Sequence, residues 1–459
     1  MSALNITVTP ADGLIDRPRR IIVTGAAPGE PVQLSSRTLR AGVAWQSSAR
    51  FVANASGRVD PSLAPAIDGS YAGISAMGLL WSQKPEQEGR RELFHQDVQQ
   101  PLVTTLHAHA MNGNAVADAV LVQRLCADGV TRREIREQGL VGTLFLPPAS
   151  TETGADQNSH PAVMILNGSG GGINEPRAAL YASRGYAAFA LAYFKAPGLS
   201  DYISNTPLEY FEKGLDWLRT TVAPLNDFVA ISGQSRGGEL VLLLGATFPE
   251  KVSAVLAYVP SALVHSGQSA CDPAIGREGP TWLLNGKPLT HQWENNRHAS
   301  WAPFDEGAPP QRHALAMLTA LQDKEAVAKA RIQVEKIQAP VLLFSATDDG
   351  SWPSSVYAKM VNDKLKEVAH PYAVEWHDYR DAGHAILFPY VPTTQIGYAH
   401  PVSQRIHTGG GTPAANAQAD HHAWQHAQQF LKNAIAAIQG RAIFMRKEFH
   451  DDANGIRHR

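Results

Sequence analysis

A serine on a glycine-flanked turn is the first group in the sequence that could do covalent chemistry. Residues 233–237 read Gly-Gln-Ser-Arg-Gly, the pattern G-x-S-x-G. The apolar run 229–231 precedes this pattern, and a leucine-rich, helix-forming run follows it. A serine between a buried strand and a helix lies on a tight turn, where glycines tolerate crowding that a side chain would not. The sequence therefore predicts Ser235 as a nucleophile; a plain glycine turn with a serine N-cap is the alternative.

A serine hydroxyl needs a base to take its proton, and the later sequence contains both partners in order. Strand-like runs lead first into Asp348 and Asp349 and then into His384. Each partner would lie just beyond the carboxyl end of a strand, the edge at which α/β sites form. His384 is predicted as the general base and Asp349 as the carboxylate that orients it. Asp348 is a rival for that role, whereas Asp381 is predicted to cap the turn before His384.

A glycine cluster could stabilise the negative oxygen of an acyl-transfer intermediate. Residues 168–172 read Gly-Ser-Gly-Gly-Gly and follow a short apolar run. Backbone N–H groups of such a loop, with one from the turn after the serine, can point at the developing charge. We therefore predict an oxyanion hole formed by Arg236, Gly168, Ser169 and Gly170. The rival interpretation is a nucleotide phosphate loop, but neither a G-x-G-x-x-G pattern nor a Walker lysine is present.

Two groups of histidines have a spacing that is compatible with metal binding. His107 and His109 would share one face of a strand, without a third ligand nearby. His422 and His426 are one helical turn apart with His421 beside them, and no Glu or Cys pattern adjoins them. Both groups are predicted to lie at the surface, so we expect no metal site and no cofactor.

The elements that must position these groups fall into two regions. Short alternating runs separated by turns predict a β-sandwich domain at 1–129. Short apolar strands then alternate with amphipathic helices, which indicates an α/β domain at 130–459 with a mostly parallel sheet covered on both faces. Helices are predicted at 239–248 and 417–438, among others, and 260–310 is predicted to be a loop-rich insertion.

Composition and charge exclude several classes of protein. The 459 residues include 40 Lys and Arg against 42 Asp and Glu, a formal net charge of −2. That balance argues against a nucleic-acid partner, and the aromatic residues are not interleaved with basic clusters. The sequence contains no run of about 18 apolar residues, so no membrane span is expected, and the N-terminus has no signal-peptide pattern. The two cysteines, Cys126 and Cys271, indicate no disulfide framework, so a cytoplasmic protein is expected.

Several of these motifs, in this order, resemble the family of acyl-CoA thioesterases and bile acid-CoA:amino acid N-acyltransferases, over nearly the whole chain. Residues 69–81 (Gly-Ser-Tyr-Ala-Gly-Ile-Ser-Ala-Met-Gly-Leu-Leu-Trp) resemble the N-terminal signature of that family. The second, hydrolase half of the family is resembled by the glycine loop with Glu175 and Arg177, and by segments 208–212, 235–240, 348–354 and 382–390. The resemblance implies an immunoglobulin-like sandwich followed by an α/β hydrolase, and it assigns the triad role to Asp349.

The resemblance also bears on the reaction. In this family the nucleophile is serine in the thioesterases and cysteine in the amino-acid N-acyltransferase, so Ser235 points to hydrolysis. We hypothesise a serine hydrolase of acyl thioesters, with acyl-CoA as the favoured small-molecule substrate. The alternatives are a carboxylesterase, an acyltransferase to an amine or alcohol, and a catalytically silent scaffold. The segment 260–310 diverges from the family, so an acyl-chain preference does not transfer. CoA is a polyanion, and the sequence contains no basic cluster that would receive it.

Overall fold

Strands with alternating buried and exposed side chains form the N-terminal region, in keeping with their period-two pattern. The computed structural model describes residues 3–112, 114–149 and 160–454. The first elements are β1 (Asn5–Thr9), β2 (Asp12–Leu14), β3 (Arg20–Thr24), β4 (Pro31–Arg40), β5 (Val43–Val52), β6 (Asp68–Gly69), α1 (Gly78–Trp81), β7 (Lys84–Pro85), β8 (Leu102–Ala110) and β9 (Ala115–Arg124).

Two sheets share a core in this region. The larger sheet has the order β2-β9-β8-β4-β5-β6, with β7 also on β5, and β1 pairs with β3 separately. Ile6 and Val23 of the small sheet belong to the same hydrophobic cluster as Leu34, Phe51 and Leu106 of the large one. The described N-terminal region is therefore an all-β domain in which two sheets pack together. Its immunoglobulin-like topology stays a prediction.

The rest of the chain alternates strands with helices. Its elements are β10 (Thr131–Ile135), β11 (Val141–Leu146), β12 (Ala162–Leu166), α2 (Glu175–Ala182), β13 (Ala187–Ala192), β14 (Thr206–Pro207), α3 (Glu209–Val222), β15 (Val229–Gln234), α4 (Arg236–Thr247), β16 (Ala254–Tyr258), β17 (Trp282–Leu284), β18 (Lys287–Pro288), α5 (Ala302–Asp305), α6 (Ala314–Ala320), α7 (Lys324–Ala330), β19 (Val341–Ala346), α8 (Ser354–Glu367), β20 (Val374–Tyr379), β21 (Gly397–Ala399), β22 (Ile406–Thr408) and α9 (Pro413–Asn454). Within the described ranges, no helix has the length and apolar character needed to cross a membrane.

An eight-stranded sheet organises this second region. Its order is β10-β11-β13-β12-β15-β16-β19-β20. The pairs at the β10 edge are antiparallel, and from β13 to β20 neighbouring strands run parallel. Helices cover both faces of the sheet, so successive residues along a strand pack into two different hydrophobic cores. Ile231 packs in the cluster that contains Phe211 of α3, whereas Ala230 packs in the cluster that contains Trp424 of α9. The predicted mostly parallel α/β sheet is confirmed.

The boundary between the two regions lies between β9 and β10. The former ends at Arg124, and the latter begins at Thr131. We propose that the domains divide as 1–129 and 130–459. Hydrogen bonds join them: the Thr393 N–H donates to the Trp81 carbonyl at 3.0 Å, and the indole N–H of Trp424 donates to Asp16 at 2.7 Å. The N-terminal domain therefore contacts both α9 and the chain that follows His384.

Some elements differ from the sequence predictions. The insertion at 260–310 contains β17, β18 and α5 among its loops, and α6 and α7 were not predicted at all. Each of these two helices has seven residues, too few for a clear helical periodicity. The helix predicted at 239–248 begins at Arg236, and the last helix begins at Pro413 rather than at 417.

Close backbone contacts surround the turn between β15 and α4. A Cβ atom on Gly237 would lie 2.5 Å from the carbonyl oxygen of Leu166 and 2.6 Å from that of Asn167. A Cβ atom on Gly238 would lie 2.6 Å from the carbonyl oxygen of Tyr258. Only glycine lets the first turn of α4 approach the ends of β12 and β16 this closely.

We expect Gly237→Ala to lower the free energy of unfolding by about 1–3 kcal/mol, because backbone oxygens of the sheet cannot move away from the new methyl group. Gly245→Ala, on the same helix, is the matched control. Its Cβ would meet a movable side-chain atom of Val255 at 3.0 Å, and alanine favours helix by about 1 kcal/mol. Urea unfolding followed by circular dichroism measures both variants; equal losses would contradict the steric explanation.

Candidate active site

Ser235 occupies the turn between β15 and α4 with a backbone conformation that is unusual for a side-chain-bearing residue. Its φ is 59° and its ψ is −120°. The turn is held from both sides, because the Ser235 N–H donates to the Tyr258 carbonyl at 2.9 Å and the Glu239 N–H donates to the Ser235 carbonyl at 3.0 Å. A Cβ atom on Gly233 would lie 2.1 Å from the carbonyl oxygen of Gly237, so the flanking glycines are needed for this turn.

The three residues predicted as nucleophile, base and acid form a continuous chain of hydrogen bonds. His384 Nε2 lies 2.7 Å from Ser235 Oγ, and His384 Nδ1 lies 2.8 Å from Asp349 Oδ2. The other oxygen of Asp349 accepts from the N–H groups of Ser351 at 2.9 Å and Trp352 at 3.2 Å. Since the carboxylate takes the hydrogen of Nδ1, the lone pair of Nε2 faces the serine hydroxyl. The arrangement can remove the hydroxyl proton during nucleophilic attack.

The two rival aspartates lie elsewhere. Asp348 accepts from Arg312 Nη2 at 2.7 Å and from the Gly411 N–H at 2.9 Å. Asp381 is exposed, and its N–H donates to the Thr347 hydroxyl at 2.9 Å, so it belongs to the turn before His384. The structure thus brings Asp349, and neither rival, against His384.

The glycine loop lies beside the serine. A Cβ atom on Gly168 would lie 3.1 Å from the Cβ of Ser235. The Gly168 N–H donates to the Asn167 side chain at 3.1 Å, whereas the N–H groups of Ser169 and Gly170 have no partner in the described part of the chain. The Arg236 N–H is the first of α4 and has no acceptor within that helix. Three of the four predicted N–H groups are therefore free to bind a negative oxygen.

A histidine that the sequence did not single out fixes the side chain of Ser169. His400 Nδ1 accepts from the N–H groups of Val402 at 3.2 Å and Ser403 at 3.4 Å, so Nε2 carries the ring hydrogen. That Nε2 lies 3.0 Å from Ser169 Oγ and donates to it. Burial lowers the pKa of His400 to about 3, which keeps the ring neutral. The hydroxyl hydrogen of Ser169 is consequently left to donate to another group.

A buried ion pair ties the serine turn to the insertion. Arg236 Nη1 lies 2.8 Å from Glu239 Oε2, and both side chains are shielded from solvent. The Arg236 guanidinium also donates to the Ser266 carbonyl and to Gln268 Oε1, each at 2.9 Å. Burial raises the pKa of Glu239, and this is partly offset by Arg236 and by the indole N–H of Trp282. Arg236 Nε has no hydrogen-bond partner in the described part of the chain, but both terminal nitrogens of the guanidinium are bonded. A buried charge that is paired in this way is tolerated, whereas a lone charge here would be strongly destabilising.

Two adjoining cavities open at this site. The first, of about 240 Å³, lies over Ser235, and its wall includes Arg91, Ser169, Gln268, Ser269, Tyr398 and His400. The second, of about 320 Å³, shares Gln268 and Ser269 with the first. Arg91 comes from the N-terminal domain, so both domains contribute to the wall. Apart from Ser169 of the glycine loop, no local sequence pattern marks these residues. Most of them lie on loops or on a short 3-10 turn, and Tyr398 lies on the three-residue strand β21.

The second cavity carries the basic residues that the sequence did not group together. Arg277 and Arg405 both contact Asp305, at 2.8 Å and 2.6 Å. The hydrogen bonds from Arg277 and then Arg405 lower the pKa of Asp305 to about 2. The Arg277 guanidinium lies 4.3 Å from the ring centre of Trp301, and that of Arg405 lies 4.4 Å from the ring centre of Phe304. The two guanidinium groups share this one carboxylate as their ion-pair partner in the described part of the chain.

The histidines with metal-compatible spacing have two outcomes. His107 is exposed beside Asp118, with Nδ1 2.8 Å from Oδ1. The prediction that His421 and His422 lie at the surface is wrong, because both are half-buried, and His421 bonds the Tyr390 hydroxyl at 3.1 Å. His426 is exposed, but it is not isolated from acidic residues as the sequence suggested, because folding places Glu375 and His377 beside it.

The parallel sheet, the sharp turn at Ser235 and helices on both faces define an α/β hydrolase preceded by an all-β domain. Residues 206–437 match the family described as BAAT / Acyl-CoA thioester hydrolase C terminal. Residues 16–137 match the family described as Acyl-CoA thioester hydrolase/BAAT N-terminal region. The chain belongs to this family of enzymes, as its motifs indicated.

Individual relatives match along most of their length. Mouse acyl-coenzyme A thioesterase 6 is 32% identical over 94% of this chain and 97% of its own. Mouse mitochondrial acyl-coenzyme A thioesterase 2 is 32% identical, over 92% of this chain and 87% of its own. Human acyl-coenzyme A thioesterase 1 is 30% identical over 93% of this chain and 95% of its own. Among solved structures, MGS-M1, an alpha/beta hydrolase from a deep-sea metagenome library, is 18% identical over 57% of this chain and 85% of its own, with a TM-score of 0.36.

Proposed function

We propose that this protein hydrolyses acyl thioesters, converting acyl-CoA to free acid and CoA. The observation that carries the proposal is the hydrogen-bond chain from Ser235 through His384 to the buried Asp349. Similarity to acyl-coenzyme A thioesterases over more than nine-tenths of the chain supports the choice of thioester. The serine nucleophile supports hydrolysis over transfer, because an oxygen ester intermediate is less reactive toward an amine than a thioester.

The reaction follows from the geometry of these residues. Ser235 Oγ attacks the thioester carbonyl while His384 Nε2 takes the hydroxyl proton, and Asp349 stabilises the resulting imidazolium. The negative oxygen of the tetrahedral intermediate is bound by the free N–H groups of Arg236 and of the glycine loop at Ser169 and Gly170. The C–S bond breaks, the thiol leaves with the proton from His384, and an acyl-serine remains. Water, deprotonated by His384, then releases the acid and restores Ser235.

We expect Ser235→Ala to reduce the release of free thiol from acyl-CoA by at least about 10⁴-fold, because no other group can form the acyl-enzyme. Thiol release is followed with a disulfide reagent, and Ser56→Ala, an exposed serine of the N-terminal domain, is the control. Mass spectrometry with glycine or taurine present identifies acyl transfer, and an aryl ester tests for a carboxylesterase. Wild-type activity in Ser235→Ala would refute the mechanism.

Asp349 and Asp348 are adjacent in the chain but have different partners, so their asparagine variants form a matched pair. We expect Asp349→Asn to lower kcat by about 10⁴-fold, since an amide cannot hold the His384 tautomer that accepts the serine proton. Asp348→Asn changes the same chemical group one residue away, at a site bonded to Arg312, and should lower kcat much less. Both variants are compared at saturating acyl-CoA after their folding has been checked by circular dichroism. Equal effects would remove Asp349 from its assigned role.

Arg277 and Arg405 are proposed to bind the phosphates of CoA. We expect Arg277→Gln and Arg405→Gln each to raise KM for acyl-CoA about fivefold, the effect of losing a partly exposed charge contact of about 1 kcal/mol. The kcat for acyl-CoA and the hydrolysis of an uncharged aryl ester should stay unchanged. Arg133→Gln, on the opposite edge strand β10, is the control. An equal rise in KM for the aryl ester would contradict phosphate binding.

A further inference from the structure

The last strand of the sheet and the last helix of the chain meet along one face. β20 is an edge strand that pairs only with β19 in the described sheet. Trp376 packs toward the core cluster shared with α3 and α8, and Tyr379 packs toward the cluster shared with α9. Because side chains alternate along a strand, Glu375 and His377 lie on the same face as Tyr379, toward α9.

Three ligating side chains converge there. The ring of His426 on α9 stacks on that of His377, with centroids 3.9 Å apart and planes inclined by 29°. One oxygen of Glu375 and one ring nitrogen from each histidine all lie within 4.8 Å of one another. His377 Nε2 lies 3.7 Å from Glu375 Oε2, a separation too long for a hydrogen bond.

These groups lack other partners in the part of the chain that the structure describes. His377 Nε2 is buried and has no hydrogen-bond partner. Glu375 makes no ion pair with a lysine or arginine there; its nearest charged contact is His377. A buried polar nitrogen normally finds a partner, and a carboxylate beside two imidazoles is a site that favours a cation.

We propose that Glu375, His377 and His426 bind a divalent transition-metal ion, with Zn²⁺ as the best match, and so join β20 to α9. Two imidazole nitrogens and one carboxylate oxygen form a ligand set that Zn²⁺ uses in proteins, with water in the fourth position. Bonds of about 2.1 Å place tetrahedral ligands about 3.4 Å apart. Glu375 Oε2 and His377 Nε2, at 3.7 Å, are close to that separation, and the widest separation in the cluster, at most 4.8 Å, must shorten. His426 is exposed, so its ring can turn within the stack on His377 to make this movement. Calcium and magnesium, which prefer all-oxygen ligands, fit poorly.

The consequence of the site is structural, because the same helix supports the loop that carries His384. Asn416 Oδ1 accepts from the Gly383 N–H at 2.7 Å, and Asp420 Oδ1 accepts from the Leu387 N–H at 2.6 Å. An ion between His426 and the edge strand would hold α9 in the position from which these bonds are made. The proposal stands apart from the hydrolytic function, since none of the three ligands contacts Ser235, His384 or Asp349.

The test is zinc binding by the full chain, produced without an affinity tag and freed of metal with a chelator. Isothermal titration with Zn²⁺ should give one saturable site of micromolar or tighter affinity. We expect His426→Ala and Glu375→Gln each to weaken that site by at least about tenfold, since even groups that only support a ligand change affinity by 10–100-fold. His107→Ala removes an exposed histidine that also neighbours an aspartate, and should leave the affinity unchanged.

A second measurement distinguishes loss of the metal site from misfolding of a variant. Zinc should raise the melting temperature of the wild-type protein and of His107→Ala, but not that of His426→Ala, because only a ligand that binds the native state stabilises it. Equal zinc affinity in the wild-type protein and His426→Ala would overturn the proposal, and so would the absence of a saturable site in the wild-type protein. Thiol release by the zinc-free protein is measured separately, so that a failure of the metal site is not mistaken for a failure of Ser235.

Discussion

The backbone turn at Ser235 is the constraint on which the rest of the α/β region depends. A residue with a side chain at φ 59° and ψ −120° carries about 1–3 kcal/mol of strain and needs surroundings that hold it. Those surroundings are the hydrogen bonds from β16 and α4, and the glycines that let backbone meet backbone. The turn directs the serine oxygen away from the sheet, to a position 2.7 Å from His384. Buried strands on both sides keep the turn from relaxing.

The positions of His384 and Asp349 depend as much on a later loop as on their own strands. The carbonyl oxygen of Gly409 accepts from the N–H of Gly350 at 2.9 Å and from that of His384 at 2.8 Å. One acceptor therefore joins the loop after β19 to the loop after β20. A Cβ atom on Gly383 would lie 2.1 Å from the carbonyl oxygen of Gly410, so the same contact requires glycine. This shared segment fixes the separation of the two loops, and so the hydrogen bond between histidine and aspartate.

The sequence predicts the parts of the site that follow from the sheet. The strands before Ser235 and Asp349 are short and mostly apolar, the strand before His384 is a short edge strand, and carboxyl ends of parallel strands meet at one edge. The choice between Asp348 and Asp349 needed the structure or the family resemblance, because adjacent loop residues point in different directions. Contacts such as His400 with Ser169 join irregular segments far apart in the chain, where no periodicity marks a partner. The seven-residue helices were missed for a related reason, since their local signal is too short.

A chain with almost no net charge can still be basic where a polyanion would enter. The count of −2 averages over the whole chain, whereas electrostatic attraction is set by charges within about a Debye length of 8–10 Å. Asp305 reduces the positive charge of Arg277 and Arg405, but it also holds both guanidinium groups in place over aromatic rings. Cations that are already ordered lose less side-chain entropy when a phosphate binds. The carboxylate therefore weakens the attraction by one charge and improves its geometry, which reconciles the neutral composition with the proposed CoA substrate.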